Sequence, residues 1–172
     1  MKIGGLSLNN IRGLTEQTFE NTLTLQGSAR AVELRSLSRG HSEEDTAILL
    51  PEAGVAYIGD IGFFDNQPYL GAGTLDLLRQ QMQFFMEADF RILVPGHGPV
   101  GGKAELVAQL QYIDFLEDRI RRIVEIGGSL EEALQIPLSA PFDGWLVGGM
   151  DRFAVNVQSL FKRCGGDVPE PE

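Results

Sequence analysis

Cysteine, histidine and positive charge are all scarce in this chain, and each scarcity excludes something. Cys164 is alone among 172 residues, so no intramolecular disulfide can form. A reducing compartment fits that usage. Lysine and arginine number 14 against 24 acidic residues, a formal net charge of -10. Nonspecific nucleic-acid binding needs a basic face that releases counterions, and anionic membrane surfaces attract basic segments. Neither partner is expected here. No apolar run approaches the roughly 20 residues of a membrane-spanning helix. The opening MKIGGLSLNN has a lysine but no apolar stretch of the kind a secretory signal carries. The expected location is the cytoplasm.

What is present is ordinary globular material, 43% apolar and 22% charged, in a length that suits one domain with a real core. Residues 1–17 are Gly/Asn-rich and read as a loop or frayed arm. TFENTLTL (18–25) and AVELRSL (31–37) alternate apolar with polar residues around a QGS turn, the pattern of a hairpin. TAILLP and VAYIGD, separated by EAG, form a second hairpin. The period then changes. Leu77, Leu78, Met82, Phe85 and Met86 fall at helical spacing, RILV is a short strand, and residues 103–128 carry a stripe at Leu106, Leu110, Ile113, Leu116, Ile120 and Ile123. Ser129 and Glu132 make a capping-box pattern before a short helix. A last amphipathic helix follows Asp151 as its cap, and GGDVPEPE reads as a disordered tail. The expected organisation is an arm over 1–17, one domain over 18–163 and a tail over 164–172. Its fold class is α/β, with a mixed or antiparallel sheet covered by helices on one face.

The chain has only two histidines, and both are placed alike. His41 follows a strand in SRGHSEEDTAILL, His97 follows another in ILVPGHGPVGG, and Asp60 closes the strand AYIGDI. Each neighbours a glycine, which lets backbone and ligand approach closely. Either histidine alone reads as a hydrogen-bonded loop residue. The three together, at equivalent strand ends, read as a ligand set, and two imidazoles with a carboxylate suit zinc, iron or manganese. Other motifs fail on inspection. GHGPVGGK is not a phosphate-binding loop, since Lys103 is followed by alanine, and GAGTLD lacks the last glycine of a dinucleotide fingerprint.

GHSEEDTAILLPEAGVAYIGDI followed by ILVPGHGPVGG resembles the metallo-β-lactamase fold superfamily of metallohydrolases, over about residues 15–163. The resemblance implies that His41 binds a first metal, Asp60 bridges two metals and His97 binds the second. It assigns Asp45 to orienting a ligand or the loop. It also makes Asn66 and Tyr69, in FFDNQPYLGAG, part of a pocket-lining loop that touches substrate or simply packs. The family's His-x-His-x-Asp-His motif is absent, so the resemblance is to the C-terminal half of the fold only, with Met1 as a late start. It implies half of an αββα sandwich. The function it implies is a metal-dependent hydrolase of an ester, thioester, lactone or similar bond. The incomplete site would hold zinc, iron or manganese weakly. The alternative is a non-catalytic, truncated or degenerate half-domain that self-associates or completes a partner. Phe19, Leu23, Ile48, Leu50 and Ile92 are more apolar strand residues than helices on one side can cover, so a homodimer through the exposed sheet face is expected.

Overall fold

Alternating strands and striped helices assemble into one five-stranded sheet with helices against one face. The computed structural model describes residues 2–3, 6–7, 18–145 and 152–168. Strands β1 (Lys2–Ile3) and β2 (Leu6–Ser7) pair antiparallel, so part of the segment read as loop is a small ladder. The rest of 1–17, the Asp151 cap and the end of the tail lie outside the described residues. Strands β3 (Thr22–Gln26), β4 (Ala31–Ser38), β5 (Glu44–Leu50), β6 (Val55–Phe63) and β7 (Ile92–His97) follow in sheet order. The first four pair antiparallel, and β6 with β7 is parallel. The parallel step needs a crossover, which α1 (Leu75–Glu87) supplies. Strand β3 starts later than the alternation alone suggests, at Thr22, and just before it Asn21 O accepts the Ser36 N–H.

The period of two sorts each strand into an inner and an outer row. Ala47, Leu49, Ala56, Ile58 and Leu93 are at most 2% exposed. They face Leu78, Met82 and Phe85 of α1 and Leu106, Ile113, Leu116 and Ile120 of α2 (Lys103–Glu125) in one core cluster. Helix α3 (Leu130–Ala133) begins with the capping box that its sequence announces: Ser129 N–H donates to Glu132 Oε2 at 2.7 Å, and Glu132 N–H to Ser129 Oγ at 3.2 Å. Helix α4 (Arg152–Arg163) adds Val157, Leu160 and Phe161 to the core, and Val168 beyond it packs there too. Between the inner residues lie Ile48, Tyr57 and Ile92, each more than 40% exposed. Among the described residues no helix covers that outer face.

The loop from Asn66 to Leu70 is held by buried amides. Asn156 Nδ2 donates to Pro68 O at 2.7 Å, and its Oδ1 accepts from Leu70 N at 2.8 Å. Tyr112, fully buried, donates to Gln67 Oε1 and accepts from Asn156 Nδ2. Burial pushes the Tyr112 hydroxyl up to about 12, with the Asn156 hydrogen bond opposing. Its folded value therefore lies above its unfolded one, so the folded state holds its proton where the unfolded chain loses it. That stability is complete below pH ~10 and disappears by pH ~12, about 2 kcal/mol in all. Urea titrations at rising alkaline pH should show this loss, and Tyr112→Phe should flatten it. An unchanged slope in Tyr112→Phe would assign the loss to other groups.

Candidate metal centre

The loop after β4, the last part of β6 and the end of β7 deliver His41, Asp60 and His97 to one end of the sheet. Asp60 does not close its strand, because β6 runs on to Phe63 opposite His97. His41 sits just beyond β4. Asp45, at the start of β5, turns its carboxylate back to accept the N–H of His41 at 2.8 Å, the N–H of Ser42 at 3.1 Å and the Ser42 hydroxyl at 2.6 Å. Those three donors fix the turn that presents the imidazole. From the other side Thr74 N–H donates to Arg39 O at 2.8 Å. Gly73, at φ +67°, presses so closely that a Cβ there would stand 2.4 Å from Gly40 O.

Asp60 reaches the site through a break in the pleat. Ala56 and Ile58 point inward, but the next fully buried residue is Ile61, three positions on. The β6–β7 register shifts on both sides of Gly59, which takes φ +54°. An irregularity there reverses which face the following residues show. Asp60, which shares Ile58's parity, is thereby released from the core with 37% of its side chain exposed. Gly96 in β7 leaves the room it needs, since a Cβ there would lie 1.9 Å from Asp60 Oδ1.

His97 ends β7 opposite Phe63, and its carbonyl accepts the Phe64 N–H at 2.9 Å. The Phe63 ring, 1% exposed, stacks on the His97 ring at 4.7 Å and 13° and lies 5.7 Å from that of His41. It forms the wall behind both. The Arg152 guanidinium stands 5.1 Å from the Phe63 centroid and donates to Gln67 O.

The three side chains meet as two pairs on one carboxylate. His41 Nδ1 lies 3.7 Å from Asp60 Oδ2, and His97 Nε2 lies 3.6 Å from Asp60 Oδ1. Ligands about 2.0–2.2 Å from a shared ion and spread tetrahedrally stand about 3.4 Å apart. The donors therefore have the chemistry for a zinc-type ion and come within a few tenths of an ångström of that spacing. As they stand they do not close on one: no group of three or more His, Cys, Asp or Glu among the described residues is gathered tightly enough to hold an ion. His41 is largely shielded at 16% exposure, while Asp60 and His97 are open to solvent.

Tyr69 is half-buried with its ring edge-on to His41 at 6.0 Å. Asn66 is buried, and its Nδ2 is spent on Phe64 O at 2.8 Å. Residue-by-residue reading missed Gly96, Gly98, Phe63 and Gln109. Gln109 is fully buried on α2, accepts the Phe63 N–H at 2.7 Å and donates to Ile61 O at 3.0 Å. It completes the backbone bonding where β6 leaves its ladder. A polar residue on the apolar stripe between Leu106 and Ile113 is the signal that could have found it.

A mixed sheet with helices packed on one face and a His–Asp–His trio at its end defines a metallo-β-lactamase-type half-sandwich. No protein-family model and no curated protein matches the chain. Solved structures do. A metallo-β-lactamase family protein from Thermus thermophilus matches at 15% identity and TM-score 0.62, over 88% of this chain and 50% of that one. The stereoselective inverting sec-alkylsulfatase Pisa1 from Pseudomonas sp. matches at 15% identity and TM-score 0.62, over 85% and 26%. A metallo-β-lactamase from Pontibacter korlensis matches at 21% identity and TM-score 0.50, over 60% and 52%. The chain thus carries part of the metallo-β-lactamase fold, and it spans about half the length, or less, of these proteins.

Proposed function

We propose that this chain supplies one part of a metal-dependent hydrolase centre, with His41, Asp60 and His97 as its protein ligands and an ester, thioester, lactone or similar bond as its target. The supporting observation is the single carboxylate of Asp60 held between two imidazoles, one on each oxygen. A 2-His-1-carboxylate set can hold one zinc, iron or manganese ion and leave positions open. Such an ion lowers the pKa of bound water and polarises the bond to be cleaved. Within this chain Asp45 fixes the His41 turn, Phe63 sets the His97 ring plane, and Gly96 keeps the Asp60 carboxylate free to turn.

The wide spacing of the donors and their number favour a second reading for the chain acting alone: a half-domain that holds metal weakly and catalyses nothing until it is completed. Zinc titration followed by calorimetry and by metal content separates the outcomes. The chain is expected to take up about one zinc, weakly, and His41→Ala, His97→Ala and Asp60→Asn are each expected to lose at least ~10-fold in affinity, since each removes one of three donors. A folded chain with no saturable zinc uptake would reduce the trio to Asp–His ion pairs and end the proposal. Zinc uptake without ester turnover would support the half-domain reading.

A further inference from the structure

We infer that the outer face of the sheet is covered by a second copy of this chain, sheet against sheet. The register places apolar residues in two rows across it. One runs Leu23, Leu34, Ile48, Tyr57 and Val94, each directly paired with the next. The second is visible in Leu25 paired with Val32 and in Leu50, Val55 and Ile92 paired in turn. Leu25, Ile48, Tyr57 and Ile92 are 41–45% exposed. These are side chains of core type, yet they face outward, and solitary soluble domains rarely leave a contiguous apolar patch of more than a few hundred Å².

Area points to a like copy as the occupant, and the charge of the two rows permits it. Five strands about 4.8 Å apart, with about six residues of each at 3.3 Å, span about 500 Å². Two such faces bury about 1,000 Å² together, which reaches the size a specific interface needs. The chain carries a net charge of -10, so two copies repel over most of their surfaces. Neither row contains a charged residue. These two rows can therefore meet their own image without opposing like charges, while Glu44 and Asp60 lie toward the end of the sheet that carries the metal centre. A two-fold pairing presents the same patch on both sides, and stacked sheets close at about 10 Å with their side chains interleaved. His41, Asp60 and His97 lie at one end of this sheet, so the covering copy borders the metal centre's open side of the fold.

Analytical ultracentrifugation of the full chain tests this directly. The wild type is expected to sediment as a dimer at micromolar concentration. Ile48→Lys with Tyr57→Lys should raise the dimer dissociation constant by roughly 100-fold or more, because four like charges would be buried together. Far-UV circular dichroism should stay unchanged, since both positions are solvent-exposed in one copy. Ile48→Thr with Tyr57→Thr keeps strand propensity and should weaken the dimer in the same direction if the lysine pair fails to fold. Ile126→Lys, on a residue 84% exposed beyond the end of α2, should leave it intact. A monomeric wild type would overturn the inference and assign the face to another polypeptide. A dimer untouched by either pair of substitutions would overturn it too, and would point to the β3 edge.

Discussion

Gly98→Ala is expected to destabilise the chain by about 3 kcal/mol or more and to weaken zinc uptake with it. Two costs add at this position. Gly98 holds φ +94°, which a residue with a Cβ adopts only at a cost of about 1–3 kcal/mol. The new Cβ would also stand 1.8 Å from Phe64 O, a backbone atom that cannot swing aside. To relieve that contact, His97 and Phe64 must separate, which breaks the 2.9 Å bond from Phe64 N–H to His97 O. The imidazole of His97 moves with its backbone. Gly127→Ala is the internal comparison. It holds φ +75° but has nothing within 4 Å of a Cβ, so only the conformational cost applies, about 1 kcal/mol. Urea unfolding of the two variants side by side measures the difference. Equal losses would mean that the Phe64 contact relaxes freely and that His97 is not pinned there.

Gln109→Leu should cost about 2–4 kcal/mol. The substitution keeps the volume roughly constant and places an apolar residue on an apolar stripe, so a reading by hydrophobicity alone predicts a gain. The structure predicts a loss because Phe63 N–H and Ile61 C=O would be left without partners in a dry interior. Each orphaned buried group costs about 1–3 kcal/mol. The consequence extends to the metal centre. Phe63 stacks on His97, so a loosened Phe63 should lower zinc affinity although Gln109 touches none of the three donors. Urea unfolding and zinc calorimetry check the two parts separately. A Gln109→Leu protein as stable as wild type would show that water or a backbone shift replaces the amide.

The elements of secondary structure were legible where local rules act without competition. The alternation in AVELRSL and the stripe in α2 each follow from a side-chain period set by backbone geometry, and both elements formed where those periods placed them. The Ser129–Glu132 box formed because its two hydrogen bonds span only three residues. Boundaries were less legible. β3 begins at Thr22, opposite Arg35 of β4, and where a ladder begins depends on a partner strand that is not local information. The pairing of Lys2–Ile3 with Leu6–Ser7 lacks any hydrophobic pattern that would announce it.

The sequence by itself determined the inventory: two histidines and one aspartate beside glycines after apolar runs, an acidic chain with one cysteine, and more apolar strand faces than its helices can cover. Only the tertiary structure decided which of these residues act together. His41 and His97 approach Asp60 because parallel pairing of β6 with β7 and antiparallel pairing of β4, β5 and β6 bring the loop after β4, the last part of β6 and the end of β7 to one side of the sheet. Asp60 faces out rather than into the core because the register breaks at Gly59. A shift of one residue reverses a strand's faces, and whether it occurs depends on the neighbouring strand rather than on the residues of the strand itself. Gln109, which holds the end of β6, went unread for a like reason: its partners are backbone atoms 46 and 48 residues away.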